Sequence, residues 1–351
     1  MNTRFKRGSL RISQTVGLFH IARRRTGHGL RILCYHGVSL SGEDRFRPKL
    51  FIDPAIFRHR LEFLAENRFP VLSLETALAL LQQASLPPGA TVITIDDGFY
   101  GVYRAGLPLL KEFGFPATLY VTSYDSLKQS PIFRLVVQYM FWKTTRRQLD
   151  LTGLGVGIEY KISMSDLAAE QTLWRLIEYG ETKCEENQRT VICCGLGERL
   201  GVDYGEIAKS RILSLANARE LQEMASAGVD IQLHTHRHRF PELKQAAMKE
   251  LSDNKMYLEP LVRTPLRHFC YPSGIFAPVH RQWLRAAGIE SGVTCVRGFA
   301  YWNTDLMVLP RILDGSNISQ VEFKSEMLGY TELLRLGAGH RGRIAAGQLL
   351  A

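Results

Sequence analysis

The chain has no apolar run approaching the roughly 18 residues that a membrane-spanning helix needs, so no transmembrane segment is expected. Its start does not read as a secretory signal either. Residues 16–22 form a short apolar stretch that contains His20 and runs into Arg23-Arg24-Arg25, not into small residues. Acid is missing from the same end: residues 1–31 carry Arg4, Lys6, Arg7, Arg11, Arg23, Arg24, Arg25 and Arg31 with no Asp or Glu. Cys34, Cys184, Cys193, Cys194, Cys270 and Cys295 follow neither a metal-thiolate nor a secreted-disulfide spacing. Adjacent Cys193 and Cys194 are poorly placed to bridge one another, and a reducing cytoplasm is the simpler setting. No nucleic-acid motif accompanies the net charge of +10, which argues against a nucleic-acid partner.

At 351 residues and 45% hydrophobic, the chain can bury one large core or two smaller ones. Strand-like and helical stretches alternate over 31–36, 54–67, 75–84, 91–95, 102–113 and 117–121. The rhythm resumes after Asn217 and runs to about Leu328. Such alternation predicts parallel strands with helices outside them.

The chemistry sits where these strands end. The apolar run 90–95 reads as a buried strand and leads into Asp96-Asp97-Gly98. Neighbouring carboxylates there cost stability unless something positive binds them. A metal would take one as ligand and leave the other free as a base, although Asp-Asp-Gly is also good turn chemistry. Residues 228–233 read as another strand and run into His234-Thr235-His236-Arg237-His238. His234 and His238 with one Asp form the open three-ligand set of catalytic zinc; the alternative is a surface charge cluster. A third strand, Phe269-Cys270, ends in Tyr271-Pro272-Ser273-Gly274. That turn is able to aim a backbone N–H inward, as an oxyanion requires, or it is an ordinary turn.

Asp96-Asp97-Gly98, His234-Thr235-x-x-His238 and Tyr271-Pro272-Ser273-Gly274 resemble, in order, the first three motifs of the polysaccharide deacetylase family (NodB homology, carbohydrate esterase family four). Cys34-Tyr35-His36-Gly37-Val38 resembles the opening of one bacterial branch, and Leu309-Pro310-Arg311-Ile312 a late motif of it. The resemblance spans about residues 31–125 and 215–325. It implies an α/β fold, a distorted, incomplete (β/α) TIM-like barrel, with motifs on the catalytic face at the strands' carboxyl ends. It also implies that Asp97, His234 and His238 hold a divalent metal, zinc first, with cobalt, nickel or iron as alternatives. Asp96 would be the base, the Ser273 N–H an oxyanion donor, and Tyr271, Pro272 and Gly274 substrate contacts. Two departures stand out. Cys270 replaces the family's usual arginine, for which Arg311 is the available substitute. The late histidine motif that carries the general acid is not recognisable, which leaves His36 or His236.

The expected organisation is a basic amphipathic segment over 1–30, a catalytic domain over 31–328 and a basic tail over 329–351 with Arg335, Arg341 and Arg343. A helical insertion at about 125–215 interrupts the domain, with helices over 165–179 and 204–215. Its aromatic run 131–142 reads as core, or as a platform for sugar or a lipid tail. Leu10, Ile12, Val16, Phe19 and Ile21 form the apolar side of the first segment. The basic ends suit either contact with an anionic membrane, at the inner face of the cytoplasmic membrane, or helices packed on the barrel. The implied activity is metal-dependent removal of acetyl groups from N-acetylated amino sugars of a bacterial surface glycan or its precursor. The alternatives are O-deacetylation or a small-molecule amidohydrolase on the same barrel, and a glycan-binding or membrane-peripheral module with a vestigial site.

Overall fold

The computed structural model describes residues 3–165 and 167–337. Seven parallel strands close into a barrel: β1 (Arg31–Tyr35), β2 (Thr91–Ile95), β3 (Thr118–Val121), β4 (Asp230–Leu233), β5 (His268–Cys270), β6 (Ser291–Arg297) and β7 (Leu309–Leu313). Each strand pairs with its neighbours in sequence, and β7 returns to β1 at Leu33↔Ile312 and Cys34↔Leu313. A full (β/α)₈ barrel has one strand more. The distortion lies between β6 and β7, where the register shifts between Val293 and Arg297.

The strands are largely apolar and buried, because helices cover their outer faces while side chains fill the inside. Ile32, Leu33, Val92, Ile93, Leu119, Val121, Ile231, Leu233 and Phe269 are all buried. The outer helices carry their own stop and start signals. Asp53 caps the Pro54–Glu66 helix by accepting from the Ala55 and Ile56 N–H groups, with Pro54 pre-set for the first turn. That helix buries Phe57, Leu61, Phe63 and Leu64, and Arg68 leaves it with a left-handed φ of 53°.

The N-terminal helices α1 (Thr3–Thr15) and α2 (Leu18–Arg25) belong to the barrel unit. Leu10, Phe19 and Ala22 are buried, the Phe19 ring lies 5.1 Å from Tyr330, and Ser13 Oγ donates to Tyr330 Oη at 3.0 Å. Lys6 and Arg7 pair with Glu322 at 3.0 and 3.1 Å. Arg335, in the Tyr330–Gly337 helix, is likewise tied to Glu326 and Glu332. Arg341 and Arg343 lie outside the described residues.

Two compact units emerge: the barrel, up to Leu127 and again from Asn217, and a second unit of Lys128–Ala216. The second unit contains helices Phe133–Lys143, Leu167–Lys183, Glu186–Leu200 and Tyr204–Ser210. It also holds an antiparallel pair, Gln148–Asp150 with Lys161–Ser163, which sequence reading does not anticipate. The last helix stops at Ser210, short of the expected 215, because Arg211 takes a left-handed φ of 58° and closes it. Glu186–Leu200 escapes notice because its apolar residues spread around the helix and form no stripe. Phe133 and Tyr139 of the aromatic run are core, whereas Trp142 is exposed.

Candidate metal centre and active site

The carboxyl ends of β1, β2, β4 and β5, with Arg311 from within β7, bring most of the expected residues together. Asp96 follows β2 and extends the β1–β2 ladder, its N–H donating to the Tyr35 carbonyl at 2.9 Å. Asp97 then turns to a φ of 68° and Gly98 to 91°, which reverses the chain and sends the two carboxylates to different surroundings.

Asp96 is buried and gripped by Arg311. The guanidinium donates from Nη1 to Oδ1 at 2.8 Å and from Nη2 to Oδ2 at 2.7 Å, a bidentate pair. Arg311 is itself fully buried, and its remaining donors go to the Thr294 carbonyl, Thr94 Oγ1 and Cys270 Sγ. Burial alone would raise the Asp96 pKa. Arg311 outweighs it and holds the carboxyl well below the usual carboxylate range. The cation that Cys270 cannot supply therefore arrives from β7, and Cys270 Sγ sits 3.4 Å from Arg311 Nη2.

Asp97 faces the histidines instead. Its Oδ1 lies 3.3 Å from His234 Nε2 and 3.5 Å from His238 Nε2. The His234 ring is set by its other nitrogen, Nδ1, 2.8 Å from the Cys270 carbonyl. An Nδ1–H donated there leaves the Nε2 lone pair aimed at a carboxylate oxygen. Two acceptors face to face need a proton or a cation between them, and a backbone carbonyl behind the ring is a usual support for a metal-ligating histidine.

Among the described residues three donor groups gather within 4.8 Å: Asp97-His234-His238, Cys34-His36-Asp96 and Asp96-His234-Cys270. The latter two both draw on Asp96, whose oxygens Arg311 already occupies, and on thiols that burial pushes well above their ordinary pKa. A protonated thiol is a poor ligand. Asp97, His234 and His238 thus fit a divalent metal, with an open side because His238 remains partly exposed.

The two candidate acids separate. His36 Nε2 lies 3.7 Å from Asp96 Oδ2, and its buried Nδ1 has no partner among the described residues. His236 is not brought to the centre: its Nδ1 is held 2.9 Å from Ser123 Oγ, and its ring packs edge-on to Tyr124.

The Pro272–Gly274 turn follows β5. Ser273 has a left-handed φ of 55°, and its N–H donates to no group among the described residues. Gly274 is required by space, since a Cβ there would meet Cys295 atoms at 2.6–2.8 Å. Tyr271 and Pro272, expected as substrate contacts, are buried. Tyr271 packs between Phe269 and Phe276, so its ring braces the turn from below and does not line the mouth.

Two supporting residues carry no sequence signal. Asn254, buried on the Lys244–Leu258 helix, accepts from the His234 N–H at 3.1 Å and donates to the Val121 carbonyl and Ser123 Oγ. One turn earlier, buried Glu250 accepts from the Arg237 N–H at 2.8 Å and from the Arg237 and Arg239 guanidinium groups. Together they clamp a loop in which Thr235 and His238 are both left-handed. Of the eight described non-glycine residues with positive φ, four, Asp97, Thr235, His238 and Ser273, lie at this one centre. Strain of that kind persists only where surrounding structure enforces it.

A family model for polysaccharide deacetylase matches residues 204–292. The putative polysaccharide deacetylase YxkH of Bacillus subtilis (strain 168) is 33% identical over 93 residues, 26% of this chain and 31% of that protein. The chain thus matches less than a third of that relative's length. Among solved structures, deacetylase PplD of Streptococcus pyogenes, in complex with acetate, aligns with a TM-score of 0.55 at 19% identity. That alignment covers 85% of this chain and 98% of the other. IcaB from Ammonifex degensii aligns at 0.52 and 17%, covering 86% and 96%. The sequence similarity is to polysaccharide deacetylases. At these identities the two structures show a shared fold. The deacetylase match contains His234, His238 and the Pro272–Gly274 turn, whereas Asp96, Asp97 and Arg311 join them only through the barrel.

Proposed function

We propose that this deacetylase barrel hydrolyses the acetyl amide of N-acetylated amino sugars in a bacterial glycan, with a divalent metal, zinc first, held by Asp97, His234 and His238. The observation that carries this reading is the division of labour between adjacent carboxylates: Asp96 locked by Arg311, Asp97 pointed at two imidazoles. A bound divalent metal supplies an acidified water and a positive charge for the carbonyl oxygen. Asp96, kept ionised by Arg311, takes the proton of the attacking water on a remaining carboxylate lone pair. The unpartnered Ser273 N–H donates to the oxyanion as it develops. His36, beside Asp96 and partly open to solvent, delivers a proton to the leaving nitrogen. The C–N bond breaks, giving acetate and a free amine.

The deciding experiment measures bound metal after purification and acetate release from N-acetylated and O-acetylated oligosaccharides in parallel. Metal near one equivalent, with chelator-sensitive release from the N-acetylated set, is expected. Release from O-acetyl esters alone would make it an esterase. A metal-free protein inert on both sets would leave a vestigial site.

A further inference from the structure

Helices α1 and α2 pack on the barrel with one face only. On the other, Phe5 (70%), Ile12 (67%), Val16 (63%) and Ile21 (49%) remain exposed. At about 100° per residue, Phe5, Ile12 and Val16 fall within about 40° of one another, one stripe along α1 and onto the turn that follows it, where the Val16 N–H still donates to the Ile12 carbonyl. The flanking charge is of one sign. Arg11, Arg24 and Arg25 are exposed and, among the described residues, have no ion pair or side-chain hydrogen bond, and the first acid in the sequence is Glu43. Of the other basic residues here, Lys6 and Arg7 are spent on Glu322, Arg23 on the Asn67 carbonyl, and Arg31 is fully buried. The side chain of Arg4 lies outside the described residues.

An apolar stripe bordered by free arginines complements one surface well: apolar chains beneath anionic headgroups. We propose that this face docks on an anionic lipid bilayer. Phe5, Ile12, Val16 and Ile21 enter the headgroup boundary, and Arg11, Arg24 and Arg25 meet lipid phosphates. Helix α1 runs along the barrel's flank, since Arg7 reaches the Asn317 carbonyl, just past β7, while Ser13 reaches Tyr330. Docking by this flank leaves the barrel mouth uncovered beside the bilayer, within reach of glycan held at its surface.

The test is flotation of the full chain with vesicles of equimolar phosphatidylcholine and phosphatidylglycerol, set against phosphatidylcholine alone. The chain is expected to float with the anionic vesicles at low salt, to release as salt rises, and to ignore the neutral ones. Ile12→Glu/Val16→Glu should abolish flotation, and Phe5→Ser should weaken it. Arg24→Ala/Arg25→Ala should lower affinity about tenfold or more. All three variants should keep the parent's thermal melt and metal content, because the altered side chains touch neither core nor site. Equal flotation on both vesicle types, or binding indifferent to Ile12→Glu/Val16→Glu, overturns the proposal. So does a parent that fails to float and sediments as two chains until Val16→Glu separates them, which would make this face a contact between copies.

Discussion

The barrel mouth and the outer face of α1 and α2 both carry charge, and they treat it in opposite ways. At the mouth the groups are largely withdrawn from water, where an uncompensated ion costs several kcal/mol. Each is therefore braced: Asp96 by Arg311, His234 by the Cys270 carbonyl and Asn254, and the His238 loop by Glu250. On the helical face Arg11, Arg24 and Arg25 sit in water, and no side chain among the described residues braces them. A buried unmatched charge calls for a ligand in one defined position. An exposed one can wait for a surface that need only be of the right sign.

The largest effects should come from breaking the mouth. His234→Ala should lose most bound metal together with activity, whereas Asp96→Asn should keep the metal and lose about 10²–10⁴ in rate, since a base and not a ligand is removed. Elemental analysis beside acetate release separates the two, and equal metal loss in both would mean that the carboxylates share one role. Arg311→Met should destabilise the fold by about 3–5 kcal/mol by stranding a buried carboxylate. In the protein that folds, burial then dominates at Asp96. Its pKa rises, and the acidic limb of the pH–rate profile moves upward by about 1–3 units. An unmoved limb would remove Arg311 from the site. The paired contribution to stability is present above the usual carboxylate range and is lost as pH falls through the depressed pKa of folded Asp96.

Smaller changes sharpen the contrast. Phe19→Ala, on the packed side of α2, should cost about 3–5 kcal/mol in denaturant unfolding. Asn254→Ala should weaken metal binding about 10–100-fold, read by competition with a chelator, with less effect on the melt than Phe19→Ala. Ile12→Ser, on the exposed stripe of α1, should stay within about 0.5 kcal/mol of the parent in the same unfolding measurement. A large loss there would show that α1 buries both faces.

Much of the centre was legible because each motif is a local event. An apolar run ending in Asp96-Asp97-Gly98, or in His234 to His238, marks a strand and its turn without reference to anything distant. The family match falls on 204–292 alone, and Lys128–Ala216 intervenes between the Asp and His motifs, so continuity along the chain could not join them. The expected helix over 204–215 ran past its true end because nothing in Arg211 announces a left-handed residue. Tyr271 is a related case: a motif position says that a residue matters, not whether its ring points to solvent or to Phe269.

By itself the sequence determined the parallel α/β character, the donor types at the strand ends and the one-signed charge of the first helices, all properties of short windows. Tertiary structure decided how these groups meet. The register Cys34↔Thr94 and Tyr35↔Ile95 carries His36 beside Asp96, and closure of β7 onto β1 delivers Arg311 to the same carboxylate from 215 residues away. The Lys244–Leu258 helix places Asn254 and Glu250 behind the histidine loop, which no spacing in the sequence announces. Packing against Tyr330 and Glu322 chose which side of α1 and α2 faces water. The reason is common to all of these: strand-end chemistry is set by neighbours in sequence, whereas the surroundings that fix a charge depend on ring closure, register and burial, which no short window contains.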